Sequence, residues 1–285
     1  MHDHFQILRP VRQTNAVVFA SPHSGRAYPA AFLAQTVLNA HVIRSSEDAY
    51  IDQLFGDATR YGSPILNAVY PRAYVDLNRA MDELDPALIE DAPRTPHNPR
   101  VASGLGVIPR VVSGGRLIYS GKMPLAQAQA RIAQAWVPYH TALKSLLDET
   151  HRHFGQAILI DCHSMPHEAI EMHVRHGQSR ADIVLGDRHG AAARSEITDM
   201  IEAAFQSAGF TVARNTPFAG AYIAQSYGRP FARRDVVQIE IDRSLYMDEA
   251  RIIPLAEFAS VQRRISRAIG LITNWSRDQI SVAAE

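Results

Sequence analysis

The chain has 285 residues, 46% of them hydrophobic and 20% charged, which are ordinary globular proportions. Lysine plus arginine and aspartate plus glutamate both number 29, so the formal net charge is zero, and nothing points to nucleic acid or to an acidic disordered arm. A mean hydropathy of -0.15 with short apolar runs excludes a membrane span, no signal-peptide pattern opens the sequence, and a single cysteine excludes an intrachain disulfide, so the expected setting is a reducing cytoplasm.

The first predicted strand is Ala16 to Ala20. Helical signals run from Ala30 to about Ala40 and from Asp48 to Tyr61. A strand follows near Pro64 to Val69, and another at Tyr74 to Leu77. The alternation predicts α/β layering. Residues 80–123 break it with four prolines in turn contexts and a hairpin around Ser113-Gly114-Gly115, which reads either as a lid-like binding loop or as a decorative insertion. Leu125 to Phe154 is the longest predicted helix, with Ile132, Trp136, Tyr139, Leu143 and Leu147 on one stripe. Pro138 is placed to kink it, and Gly155 to stop it. Then come a strand at Ala157 to Ile160, a strand at Asp182 to Leu185, a helix from about Ala191 to Ala208, a strand at Val236 to Ile241 and a final helix from Ile252 to Trp275. No repeat, linker or low-complexity stretch divides the chain, so one domain over residues 1–285 is expected.

Two histidines sit where apolar strands end. One is in Val17-Val18-Phe19-Ala20-Ser21-Pro22-His23-Ser24-Gly25, the other in Ile158-Leu159-Ile160-Asp161-Cys162-His163. Ligands of open α/β sheets bind outside the carboxyl ends of the strands, so His23 and His163 are candidate metal ligands. Catalytic zinc usually takes three protein ligands and leaves one open position. The third is sought in Ser45-Ser46-Glu47-Asp48, with Asp48 favoured, Glu47 the alternative, and an N-cap the competing role for one of the two acids. Alternation puts Asp161 on the face of His163, as a candidate orienting group, and turns Cys162 away as a small buried hydrophobe.

In Val236-Val237-Gln238-Ile239-Glu240-Ile241 the carboxylate of Glu240 needs a partner or a task. It is read either as a general base or as one half of an ion pair with Arg233, Arg234 or Arg243. Arg79 offers a planar fork for a substrate carboxylate, Asn78 a further hydrogen bond, and Arg72 a cation for a developing oxyanion. His189, after the strand ending near Leu185, is a third strand-end histidine and a candidate substrate contact. His167, His173 and His176 receive no role, and the turn before Tyr222 is read as a pocket wall. There is no glycine-rich phosphate loop and no Gly-x-Ser-x-Gly elbow.

Ser21-Pro22-His23-Ser24-Gly25-Arg26, Ser46-Glu47-Asp48, Tyr74-Val75-Asp76-Leu77-Asn78-Arg79, Asp161-Cys162-His163-Ser164 and Gln238-Ile239-Glu240-Ile241 together resemble the N-formylglutamate amidohydrolase family. The resemblance runs in order from about residue 15 to 250. It implies zinc-dependent hydrolysis of N-formyl-L-glutamate to formate and L-glutamate, late in histidine breakdown. It also implies a distant kinship with zinc carboxypeptidases, hence a mixed sheet covered by helices in three α/β/α layers. By that resemblance His23 and His163 hold zinc (or another divalent ion such as cobalt), Glu240 is the base, and Asn78 with Arg79 grips the substrate carboxylate. The carboxypeptidases have a glutamate three residues after their first histidine, where this chain has Arg26, so Asp48 and Glu47 stay open. Two other readings remain: a deacylase of another N-acyl amino acid, and a metal-free small-molecule-binding protein on the same scaffold. The partner expected is a small molecule, with no nucleic acid, no membrane and an undefined oligomeric state.

Overall fold

The structure is a computed structural model that describes residues 4–93, 96, 98–172 and 180–282, the last three without their side chains. Its strands are, in chain order, β1 (Phe5–Leu8), β2 (Val17–Ser21), β3 (Ile65–Ala68), the short pair β4 (Val111–Val112) and β5 (Arg116–Leu117), then β6 (Ala157–Met165), β7 (Ile183–Gly186), β8 (Val212–Arg214), β9 (Arg234–Asp242) and a second short pair, β10 (Met247–Asp248) and β11 (Ile253–Pro254). Seven of them form one sheet in the order β1-β3-β2-β6-β9-β7-β8. β2, β6 and β9 run parallel side by side, β7 is antiparallel to β9, and β8 is parallel to β7. This is an α/β fold on a mixed central sheet flanked by helices. By their contacts the residues form two units, Met1–Gln6 with Pro22–Ala49 and Asn67–Ala142, and Ile7–Ser21 with Tyr50–Leu66 and Leu143–Glu285.

The second unit holds the centre of the sheet. Val17, Val18, Phe19, Ile158, Leu159, Ile160, Val237 and Ile239 are wholly buried, as expected of parallel strands covered on both faces. The helix Ser195–Ser207 carries Ile197, Ile201 and Phe205 four residues apart and packs by that stripe on the helix Phe258–Val282, which returns Val261, Ile265, Ala268 and Ile272. Among the described residues no helix is long and apolar enough to cross a membrane.

The first unit is mostly loops. The hairpin at 113–115 forms, with Gly114 and Gly115 both left-handed between β4 and β5. Its surrounding segment is tied by Arg110 to Asp85 at 2.8 Å, and by Asn98 and the backbone of Ala80 to Glu83. Residues 94, 95 and 97 of it lie outside the described ones.

Several predicted elements shrink or vanish. The helix expected from Ala30 to Ala40 stops at Leu33, because Val37 N–H and the Thr36 hydroxyl both turn to the carbonyl of Ile118. The helix expected from Asp48 begins only at Ile51, since Tyr50 is left-handed at φ 69°. Tyr74 to Leu77 is no strand: Tyr74 N–H closes a turn on Pro71, and Asp76 N–H bonds the carbonyl of Val107. The long helix runs as Leu125–Arg131, a π turn at Ile132–Trp136, and Val137–Phe154. Proline lacks the N–H that would bond the carbonyl four residues back, so the widened turn falls just before Pro138. Gly155 ends the helix at φ 70°.

Candidate metal centre

In the first unit the chain leaving β2 turns through Pro22-His23-Ser24-Gly25. Gly25 is there for space, not for a left-handed turn: a Cβ on it would stand 2.1 Å from the carbonyl oxygen of Tyr70. His23 is buried. Its Nε2 lies 2.7 Å from Asp76 Oδ1 and its Nδ1 lies 3.4 Å from Asp48 Oδ2. The backbone fixes the second contact, because Asp48 N–H donates to the His23 carbonyl at 3.0 Å.

Asp76 gathers this half of the site. Its Oδ1 also accepts from the backbone N–H of Asn78 at 2.9 Å, and its Oδ2 accepts from Arg72 Nη2 at 2.8 Å. Burial alone would raise its pKa, but Arg72, then His23 and Arg79, outweigh burial and hold the carboxyl well below its ordinary value. Arg72 also reaches to 3.9 Å from Asp48 Oδ1, so its guanidinium serves two buried carboxylates.

The two acids of residues 47 and 48 have different partners. Glu47 takes the Arg44 guanidinium on both oxygens and the Tyr28 hydroxyl at 2.6 Å. Asp48, fully buried, faces His23. Neither caps a helix, since the residue at the N-cap is Tyr50.

The loop with Asn78 and Arg79 is held by the long helix. Trp136 Nε1 donates to the carbonyl of Arg79 at 2.9 Å, and one turn later His140 Nε2 donates to that of Leu77 at 2.9 Å. Burial pushes the pKa of His140 down to about 4, so at neutral pH it is an uncharged donor. Arg79 is buried too, with Nε on Leu105 O at 2.9 Å and Nη1 on Asn78 O at 3.3 Å. Its Nη2 has no hydrogen bond among the described residues.

In the second unit β6 continues beyond the predicted Ile160 to Met165, so His163 lies inside the strand. In the β6–β9 register Asp161 sits beside Gln238 and His163 beside Glu240. Alternation puts all four side chains on one face. Asp161 Oδ2 is 3.1 Å from His163 Nε2, within ion-pair distance, yet neither Asp161 oxygen has a hydrogen bond among the described residues. Gln238 spans its neighbours: its Nε2 donates to Glu240 Oε1 at 2.7 Å and its Oε1 accepts from Ala221 N–H at 3.1 Å. The loop bearing Ala221 comes this close because Gly186, beside Gln238, has no side chain; a Cβ there would stand 2.6 Å from the nitrogen of Gly220. Of the arginines weighed as partners for Glu240, Arg234 pairs with Asp148, Arg233 reaches Gln156, and Arg243 donates to Ser164. Cys162 is buried, and burial, then Asp161, pushes its thiol pKa far up.

His23, Asp48 and His163, all buried, each offer one ligand atom within 4.8 Å of the others, and this group could hold a metal ion. Two imidazoles and one carboxylate suit zinc and leave a coordination position open.

His189 does not join the group. β7 is antiparallel to β9, with Val184 beside Glu240 and Gly186 beside Gln238. The carboxyl end of β7 therefore points away from that of β9, and takes the exposed His189 with it. The turn there is left-handed at Arg188, His189 and Gly190, held by Asn215 and Asp187. His167 contacts Asp242 at 2.8 Å, outside the ligand group. His173 and His176 lie outside the described residues. Asp76, Gln238 and His140 receive no role from sequence, although Asp76 and Gln238 stand inside the motifs quoted, and Trp136 receives only a place on the buried helix stripe.

The N-formylglutamate amidohydrolase family model matches residues 15–247. An N-formylglutamate deformylase of Pseudomonas aeruginosa is 30% identical over 270 residues, 92% of this chain and 94% of that protein. One of Pseudomonas putida is 29% identical over 239 residues, 82% of each. The crystal structure of an N-formylglutamate amidohydrolase from Ralstonia eutropha JMP134 superposes with a TM-score of 0.90 at 35% identity, covering 96% of this chain and 99% of that one. Matched over most of its length by the family model and by these relatives, the chain belongs to the N-formylglutamate amidohydrolase family.

Proposed function

We propose that the chain is a metal-dependent amidohydrolase that converts N-formyl-L-glutamate and water to formate and L-glutamate, a late step of histidine breakdown, and that residues 1–285 act as one hydrolase domain. The observation that carries the metal is the buried His23, Asp48 and His163 group. Its surroundings support the reading. Asp76 sits on His23 Nε2, opposite the nitrogen that faces Asp48, the carboxylate–histidine arrangement that orients metal ligands. Asp161 is a buried carboxylate without a hydrogen bond among the described residues, a costly state unless positive charge lies beside it. A cation held by the adjacent His163 would provide that charge.

Zinc, or cobalt in its place, supplies a Lewis acid when bound and makes water acidic near neutral pH. Glu240 accepts the proton of the attacking water and passes it to the departing amine nitrogen. Gln238 keeps that carboxylate aimed through its bond to Oε1. The backbone bonds of Arg79 fix the plane of its guanidinium, leaving Nη2 for a glutamate carboxylate beside Asn78. Arg72, fixed by Asp76, stabilises the developing oxyanion, a role whose loss typically costs about 3 kcal/mol in the barrier.

Formyl, acetyl and succinyl glutamate assayed side by side on zinc-loaded protein test the substrate, with formyl glutamate expected to turn over fastest. Turnover of only the acetyl or succinyl compound would favour the other deacylase reading, in which the lid-like residues 80–123 set the acyl group. Metal analysis should find about one zinc per chain. Protein without metal, and without activity that zinc or cobalt restores, would favour the binding-protein reading. Glu240→Gln should keep the metal and lose nearly all turnover.

A further inference from the structure

A second concave surface lies within the second unit. It is a cavity of about 410 Å³ between the 3₁₀ turn Gly56–Tyr61 and the helix Phe258–Val282, and Arg60, Arg263 and Arg267 line it. That volume is in the range that holds a small metabolite. None of the three arginines has an ion pair or a side-chain hydrogen bond among the described residues, and all three are exposed. Arg264, between two of them, behaves otherwise: it bonds the carbonyls of Ala208 and Gly209 and lies 3.8 Å from the centre of the Phe210 ring.

Two features separate this trio from scattered surface charge. Arg263 and Arg267 stand four residues apart on one helix, where like charges repel, and Arg60 adds a third cation to the same cavity. The single acid in the lining, Asp57, accepts the Ser266 hydroxyl at 2.6 Å on Oδ2 and is the one carboxylate facing three guanidinium groups. The floor is fixed as well. Gly270 gives the Tyr61 ring its place on the helix, since a Cβ there would stand 2.9 Å from the ring, and Tyr61 is further held by Ser266 at 3.3 Å. In a chain with no net charge, this is a locally cationic cup.

We propose that this cavity binds a small anion carrying at least two negative charges, through forked contacts from Arg60, Arg263 and Arg267. The shared chemistry is a phosphate or a pair of carboxylates. Calorimetric titration of the full-length, metal-loaded protein with inorganic phosphate and, separately, succinate distinguishes the two sources, with sodium chloride at matched ionic strength as the screening control. At least one of the two should bind saturably, with a Kd on the order of 1 mM or below. Binding should weaken about tenfold or more in R263E/R267E and stay within about twofold in R152E, which makes the same kind of charge reversal at an exposed position outside the cavity. R60S should weaken it on its own, so the proposal survives if the double variant folds badly. Wild-type protein that binds neither anion up to about 50 mM, or pocket variants that bind as tightly as the wild type, would overturn it.

Discussion

His140 should make the protein lose stability in mild acid. Its ring centre lies 4.0 Å from that of Trp136, with the planes tilted by 31°, and its Nε2–H donates to the Leu77 carbonyl. Burial lowers its pKa from 6.5 to about 4. The unfolded chain therefore binds a proton at this site between about pH 6.5 and pH 4 while the folded chain refuses it, and stability falls as pH falls through that window. With these two values the loss relative to neutral pH is about 2 kcal/mol at pH 5 and about 3 kcal/mol at pH 4. His140→Gln keeps an N–H donor for Leu77 and has no proton to gain. Urea unfolding of both proteins from about pH 7.5 to pH 4 isolates the residue, because all other titrating groups cancel in the difference. The wild type should lose about 3 kcal/mol more than His140→Gln over that range. Curves that stay parallel within about 0.5 kcal/mol would refute both the neutral imidazole and its place in holding the loop. Asp76 and Asp187 act in another window. Their folded pKa values lie below the ordinary 3.8, so the stability they contribute is present above that value and is lost only as pH falls below it.

Asp48→Ala should abolish stoichiometric metal in the purified protein, whereas Glu47→Gln should retain it and lose about 2 kcal/mol of unfolding free energy through its Arg44 and Tyr28 contacts; metal loss from Glu47→Gln alone would reverse the assignment. Asp76→Asn should weaken metal binding about tenfold or more in competition with a chromogenic chelator, and unchanged affinity would remove Asp76 from support of His23. Gly25→Ala, whose new methyl meets backbone at 2.1 Å, should cost about 3 kcal/mol and lower the melting temperature by several degrees; an unchanged melting temperature would mean that the turn yields.

Some of this was legible in the chain and some was not, for identifiable reasons. The apolar runs before His23 and His163 announce buried parallel strands, and in β2 and β6 they are. Parallel neighbours open at the same end, so the two imidazoles could be paired from the pattern. Asp76 could not, because its reach to His23 depends on a turn closed by Pro71 and Val107 rather than on the strand that Tyr74 to Leu77 suggests. Glu47 and Asp48 are alike as letters. What parts them is the position of Arg44 and Tyr28 on one side and His23 on the other.

Strand direction is the deeper reason. A histidine after an apolar run reads the same whichever way its strand points, and the reading of His189 as a third strand-end histidine and substrate contact assumes that β7 runs with β6 and β9. With β7 reversed, the same local signal delivers its side chain to the opposite end of the strands. The reversal leaves a trace elsewhere. Gly186 faces Gln238, lets the 218–220 backbone approach, and so brings the Ala221 N–H to the Gln238 amide that in turn holds Glu240. The antiparallel strand thus removes one candidate contact and supplies the buttress for another, and both consequences depend on a direction that periodicity does not encode.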